Sequence, residues 1–260
     1  MQLAASEARA EAPVVSRASG SSRIASGHRS SPGHCDRRRV CRIRSRTRAS
    51  WTKWRRAVKA DPVAYRLRHL QDERLSNVVN AAAKAAGWDA RPSPRPDVGR
   101  MGVARGRGIA CVLYEGDNGY CAMVAEIEVD QTTGSVAAKR LVVALDCGPV
   151  SNPDGVRNQI EGGALQGLSR ALGEEVTWDE KKVTSIDWRT YHSLPLGFDV
   201  PTVESILIDR PDAEAWSAGE TSITVVAAAV GNAIFDATGA RIRQVPFTPE
   251  RVKQALEART

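Results

Sequence analysis

Tyr120-Cys121-Ala122-Met123-Val124-Ala125-Glu126-Ile127-Glu128-Val129, with Asp130 behind it, decides how this chain folds. Glu126, Glu128 and Asp130 alternate with Ala125, Ile127 and Val129. A strand turns successive side chains to opposite faces, so this pattern predicts a half-buried strand. The segments Gly108–Tyr114 and Val136–Asp146 carry strand patterns as well. Glu115-Gly116-Asp117-Asn118-Gly119 and Asp130-Gln131-Thr132-Thr133-Gly134 separate the three. Connections this short return each strand beside its neighbour in the opposite direction, which predicts an antiparallel meander.

Helices surround the meander. Asp61-Pro62 is a helix opening, with the carboxylate at the N-cap and proline at the first helical position, and Val63, Leu67 and Leu70 form one apolar face. A second helical run starts near Asp72, carries Leu75, Val78, Val79 and Ala82, and stops at Gly87. Arg91-Pro92-Ser93-Pro94-Arg95-Pro96 reads as an extended connection. Beyond the strands, the rigid turn Asp146-Cys147-Gly148-Pro149 leads to a helix over Val156–Leu172 with Gly163, Gly167 and Ala171 at intervals of four, a surface on which a neighbour can pack at backbone distance. A hairpin near Val176–Ser185, a strand at Val203–Asp209, a long helix from about Thr221 to Ala237 and a last helix opened by Thr248-Pro249-Glu250 complete the order. Helices, then strands, then mixed elements predict an α+β fold, antiparallel strands with packed helices.

Charge divides the chain. Of 37 Lys/Arg and 30 Asp/Glu, residues 1–59 hold 15 and 3, so the net charge of +7 belongs to the first segment and the remainder is acidic. That segment, rich in Ser, Ala and Arg, shows no sustained helical or strand period and is expected to be disordered. With GC-rich codons for Ser50 to Arg56, the neighbouring frame reads a helix-forming stretch. Residues 1–57 are therefore expected to be an out-of-frame segment or a mis-assigned start, with the true protein continuing upstream. The arginines, with Trp51 and Trp54, suit a nucleic-acid tail, but no recognised binding fold accompanies them. No export signal is visible, because no apolar stretch follows the arginines, and cytoplasm and periplasm both remain open. No apolar run is long enough for a membrane span. The five cysteines form no Cys-x-x-Cys pair or cluster, which argues against an iron–sulfur or structural zinc site in this chain, and Cys111 and Cys121 read as small buried side chains.

Ser217-Ala218-Gly219-Glu220-Thr221-Ser222 carries the chemistry. A lone carboxylate stands between a small-residue turn and a helix start; the turn admits a large ligand close to the backbone, and Glu220 is placed to act as a general base. An acidic helix N-terminus has the same pattern. Ser222 has the position of an ordinary N-terminal cap.

Several motifs occur in one order: Asp61 to Leu70, Asp146-Cys147-Gly148 with Asn152-Pro153, Gln159-Ile160-Glu161-Gly162-Gly163 with Gly167-Leu168, Ala218-Gly219-Glu220, and Asn232 to Gly239 with Arg241 and Arg243. In this the chain resembles the C-terminal part of the large, molybdopterin-binding subunit of the xanthine dehydrogenase/aldehyde oxidase family, and within it the branch of the isoquinoline 1-oxidoreductase beta subunits. The resemblance spans residues 58–258 and makes 58–260 a partial molybdopterin-binding domain. It implies a molybdenum–molybdopterin cofactor in the cytosine dinucleotide form, a small [2Fe-2S] partner subunit, an external electron acceptor, and an N-heteroaromatic or aldehyde substrate hydroxylated with oxygen from water. It also implies Glu220 as the general base and Gln159 as the amide that hydrogen-bonds the pterin. Gly162, Gly163 and Gly219 would give the cofactor room, and Ser222 would add a hydroxyl or N–H toward it. None of these residues is a metal ligand. Asn232 and Arg243 are expected to be buried hydrogen-bonding anchors.

The chain departs from the family pattern in three places. Ser217 stands where the turn usually begins with glycine. The loop Tyr191–Leu196 lacks the expected Tyr-Pro…Arg arrangement, leaving His192 a solvated loop residue. The Gly-rich upstream half is absent, which makes the chain a fragment expected not to turn over alone. The competing readings are a non-catalytic truncated remnant of such a subunit and an Arg-rich nucleic-acid binder.

Overall fold

The computed structural model describes residues 60–95, 102–116, 118–195 and 197–258; the Arg-rich segment 1–57 lies outside them. Asp61 opens α1 (Pro62–His69): its side chain accepts the N–H groups of Val63 and Ala64 at 2.9 Å, and its other oxygen accepts the Trp88 indole and the Arg91 N–H. One carboxylate thus caps a helix and fastens the chain after α2 (Glu73–Ala85), whose own cap is Asp72.

The meander is present as β1 (Val103–Leu113), β2 (Tyr120–Asp130) and β3 (Val136–Asp146), paired antiparallel in sequence order. It is less one-sided than the alternation predicts. Cys121, Met123 and Ala125 face one core while Tyr120, Ala122 and Val124 face a second, built with Val78, Val79 and Ala82 of α2. Polar residues appear only where α2 no longer covers the sheet, so Glu126, Glu128 and Asp130 are half-buried.

The fourth strand, β4 (Thr202–Leu207), pairs with β3 in parallel. Between the two runs α3 (Pro153–Leu172), a crossover that brings the chain back in its original direction. The helix begins three residues before the expected Val156, because Asn152 accepts the Gly155 N–H at 3.0 Å and Pro153 occupies the first turn. The hairpin near Val176–Ser185 reduces to one bridge between Trp178 and Val183. Its side chains bond mainly to each other, as in Thr177 to Thr184 at 2.7 Å.

Next comes α4 (Ile223–Thr238), and then α5 (Pro249–Glu257), capped by Thr248. α4 lies between the sheet and α3 at backbone distance on both sides. A Cβ on Gly106 or Gly108 of β1 would overlap the α4 backbone at Ala233 or Ala229, and one on Gly167 of α3 would lie 2.6 Å from a Val226 methyl. That double contact is why half of the helix is Ala or Val. Gly239 ends it in the left-handed conformation at φ 74°, with its N–H returned to Phe235 O. Asn232 is an anchor, donating to Ile109 O at 3.0 Å and accepting from Arg241. Arg243 is exposed, not buried as expected. Cys121 is fully buried, whereas Cys111 is only partly covered.

Candidate active site

The turn that bears Glu220 is closed by its own small side chains. Ser217 Oγ accepts the Gly219 N–H and Ser217 O accepts the Thr221 hydroxyl, both at 3.3 Å. The serine found in place of glycine therefore ties the turn, at no cost to the carboxylate. The β1–β2 turn grips it from the side: Asn118 Oδ1 accepts the Ser217 N–H at 3.3 Å, and the Tyr114 hydroxyl donates to Glu220 Oε2 at 2.7 Å. Glu220 itself is exposed.

Trp216 fixes the approach to this turn. Its N–H donates to Cys147 O at 2.8 Å, and its ring lies 4.4 Å from the Arg74 guanidinium, which also stacks 4.8 Å from the Tyr120 ring. Arg74 is held in turn by Asp146, a fully buried carboxylate that accepts from Arg74, from Arg210 and from the Gly148 N–H. Burial pushes the Asp146 carboxyl upward, but the hydrogen bonds from Arg74, Gly148 and Arg210 outweigh it and hold the group below the usual carboxylate range. The adjacent Cys147 thiol is pushed up, first by burial and then by the Asp146 charge.

α3 supplies the facing wall. Gln159 is exposed two turns into the helix, and a Cβ on Gly219 would lie 3.5 Å from its Oε1, so the amide and the bare turn are neighbours. Gly162 is exposed, with open space where its side chain would be. Gly163 behaves differently: a Cβ there would overlap Ser222 Oγ, so this glycine admits the start of α4. Ser222 does not cap the helix. It already has helical φ and ψ, its side chain makes no cap bond, and its hydroxyl is buried with no hydrogen-bond partner among the described residues.

The structure thus joins Gln159 to Gly219 and Gly163 to Ser222, with Gly162 beside them on α3 and Glu220 on the turn. His192 is an exposed loop residue remote from these contacts in sequence. An exposed amide, two bare glycine surfaces and an orphaned buried hydroxyl fit one wall of a site for a flat heterocycle rich in donors and acceptors. Sequence reasoning missed Tyr114, Asn118, Arg74, Arg210 and Trp216, whose partners lie far away along the chain. Only Asp146, a carboxylate closing an apolar strand before a Cys-Gly turn, signalled that buried cations were needed. Among the described residues no helix is long and apolar enough to cross a membrane.

Residues 114–201 match the protein family described as the molybdopterin cofactor-binding domain. The chain is 39% identical over 206 residues to a nicotinate dehydrogenase subunit of Pseudomonas putida, covering 77% of this chain and 17% of that one. It is 31% identical over 195 residues to the isoquinoline 1-oxidoreductase beta chain of Brevundimonas diminuta, covering 75% and 24%. A solved aldehyde oxidoreductase from Desulfovibrio gigas is similar over 54% of this chain and 15% of its own, at 31% identity and a TM-score of 0.47. The chain spans less than a third of the length of each of these relatives.

Proposed function

We infer that this chain, which belongs to the xanthine dehydrogenase/aldehyde oxidase family through its molybdopterin-binding domain, contributes the base-bearing wall of the active site in an oxidoreductase subunit. The observation that supports this most is Glu220: an exposed carboxylate on a turn closed by Ser217 and Thr221, next to the amide of Gln159. In this reading residues 58–260 form the cofactor-binding part, and the Arg-rich sequence of residues 1–57 is not part of it.

A molybdenum–molybdopterin cofactor, in its cytosine dinucleotide form, would supply the oxygen-transfer and redox chemistry there, with a small [2Fe-2S] subunit and an external acceptor as the electron route. This chain's residues bind and move protons. Gln159 would present both halves of its amide to the pterin edge, Gly162 and Gly219 would let the ring system approach, and Ser222 would back that wall with its hydroxyl, buried against Gly163. Glu220 takes the proton from the water-derived oxygen as that oxygen attacks the electron-poor carbon of an N-heteroaromatic ring or an aldehyde. A carboxylate held by a turn needs little reorganisation at that moment.

In the intact enzyme, Glu220→Gln keeps the shape and removes the basicity. Turnover is abolished while molybdenum and pterin contents stay near wild type. Loss of the cofactor along with activity assigns Glu220 a structural role instead. The alternative is a non-catalytic remnant of such a subunit. It predicts that the chain carries neither molybdenum nor pterin even when co-produced with the upstream half of a relative.

A further inference from the structure

Glu220 is not held by its own turn alone. The β1–β2 turn reaches it at three points. The Tyr114 hydroxyl donates to Glu220 Oε2 at 2.7 Å, Asn118 Oδ1 accepts the Ser217 N–H at 3.3 Å, and Gly119 sits so close that a Cβ would lie 3.6 Å from Thr221 Oγ1. The gripping turn is itself fixed by backbone bonds, Tyr114 N–H to Gly119 O at 2.9 Å and Asn118 N–H to Tyr114 O at 2.8 Å. Gly119 has a φ of 95°, which favours glycine and turns the chain back under the carboxylate. Tyr114 is buried, at 9% exposure, so its ring is packed and its hydroxyl is delivered from a rigid support.

We propose that Tyr114 is the positioning residue of the carboxylate: by donating to Oε2 it fixes the rotation of the Glu220 carboxyl plane and directs Oε1 as the atom that takes up the proton. The inference rests on Glu220 being the base, and it adds that the exposed side chain is pre-oriented by the β1–β2 turn. A carboxylate turning freely in water presents either oxygen in many directions; one charge-assisted bond from a buried phenol removes most of that freedom. The proton stays on the tyrosine throughout, since the phenol gives up its hydrogen far less readily than a carboxylic acid does.

The test has two arms. The first uses the 260-residue chain with ζ-carbon-labelled tyrosine. The chain has four tyrosines, and Tyr114→Phe identifies the Tyr114 resonance by its disappearance. Glu220→Gln is expected to move that resonance and leave the other three in place; an unmoved Tyr114 signal overturns the contact. The second arm uses the cofactor-loaded enzyme. Tyr114→Phe is expected to lower kcat about tenfold, the rate equivalent of losing one charge-assisted hydrogen bond, with KM and cofactor content unchanged. An unchanged kcat overturns the positioning role. An equal fall in cofactor content also overturns it, by showing a purely structural effect. If Glu220→Gln retains turnover, the assignment of the base fails, whereas the resonance shift still reports on the Tyr114 contact by itself.

Discussion

Arg91 and Asp236, 145 residues apart in the chain, form a two-pronged ion pair, with guanidinium nitrogens 2.8 and 2.7 Å from the two carboxylate oxygens. Asp236 is buried at the end of α4 and accepts the Arg107 N–H as well, at 3.1 Å. The pair is the bolt between the proline-rich connection and the helix that follows the Glu220 turn. Arg91→Ala leaves a buried carboxylate without its cation and should cost about 3 kcal/mol of stability, read from the urea midpoint of the chain. Arg189→Ala, which removes an exposed pair with Asp187, is the control and should leave that midpoint in place.

Acid should loosen the support of the Glu220 turn through Asp146. Its carboxyl is held below the ordinary carboxylate range. A depressed folded-state value means that the unfolded chain binds the proton more readily, so the stabilisation is complete above the unfolded value of about 4 and is lost as pH falls through the folded one. Fluorescence of the stacked Trp216 followed from pH 6 to pH 2 should show a transition that Asp146→Asn removes, at the expense of stability at neutral pH.

Two glycines should respond oppositely to the same substitution. Gly108→Ala drives a methyl into the α4 backbone and should destabilise by about 3 kcal/mol or more, because neither strand nor helix can yield. Gly162→Ala meets open space in the interior of a helix and should stabilise the chain by about 0.5–1 kcal/mol. If the cofactor rests on that surface, the stabilised variant should nevertheless load less pterin, measured as released pterin per chain. Wild-type loading would remove Gly162 from the site.

Gln159→Ala should separate binding from folding. The side chain is exposed, so the thermal midpoint should hold within about 1 °C, surface changes being close to neutral. Pterin content in the intact enzyme should fall about tenfold, the equivalent of one lost hydrogen-bonding partner.

Local chemistry made some of the fold readable in advance. Asp61-Pro62 and Thr248-Pro249 announce their helices because a cap and a first-turn proline act within a few residues. The three strands of the meander follow from their pattern and their turns. The first half of β1, Val103 to Arg107, does not look like a strand: it mixes arginines with glycine, and Gly106 is explained only by α4 lying against it. The parallel placement of β4 depends on where α3 puts the chain, which periodicity does not encode. At the site, the motif residues Gln159, Gly219 and Glu220 stand out in the sequence. Tyr114 does not, since a tyrosine ending a strand is commonplace, and only the fold sets it 2.7 Å from a carboxylate more than a hundred positions away. Ser222 looks like a cap by position, yet the close approach of α3 at Gly163 draws the helix start past it.

The glycine notches that hold α4 also fix its length. Inserting or deleting a single residue in a helix turns everything beyond it by about 100°. In α4 that would swing bulkier side chains onto Gly106, Gly108 and Gly167 together, with no direction left in which to relax. Among homologues, α4 should therefore be a stretch free of insertions and deletions, from the Glu220 turn to Gly239. The exposed segment between Trp178 and Trp188, pinned by no such notch, is where chain length has room to vary.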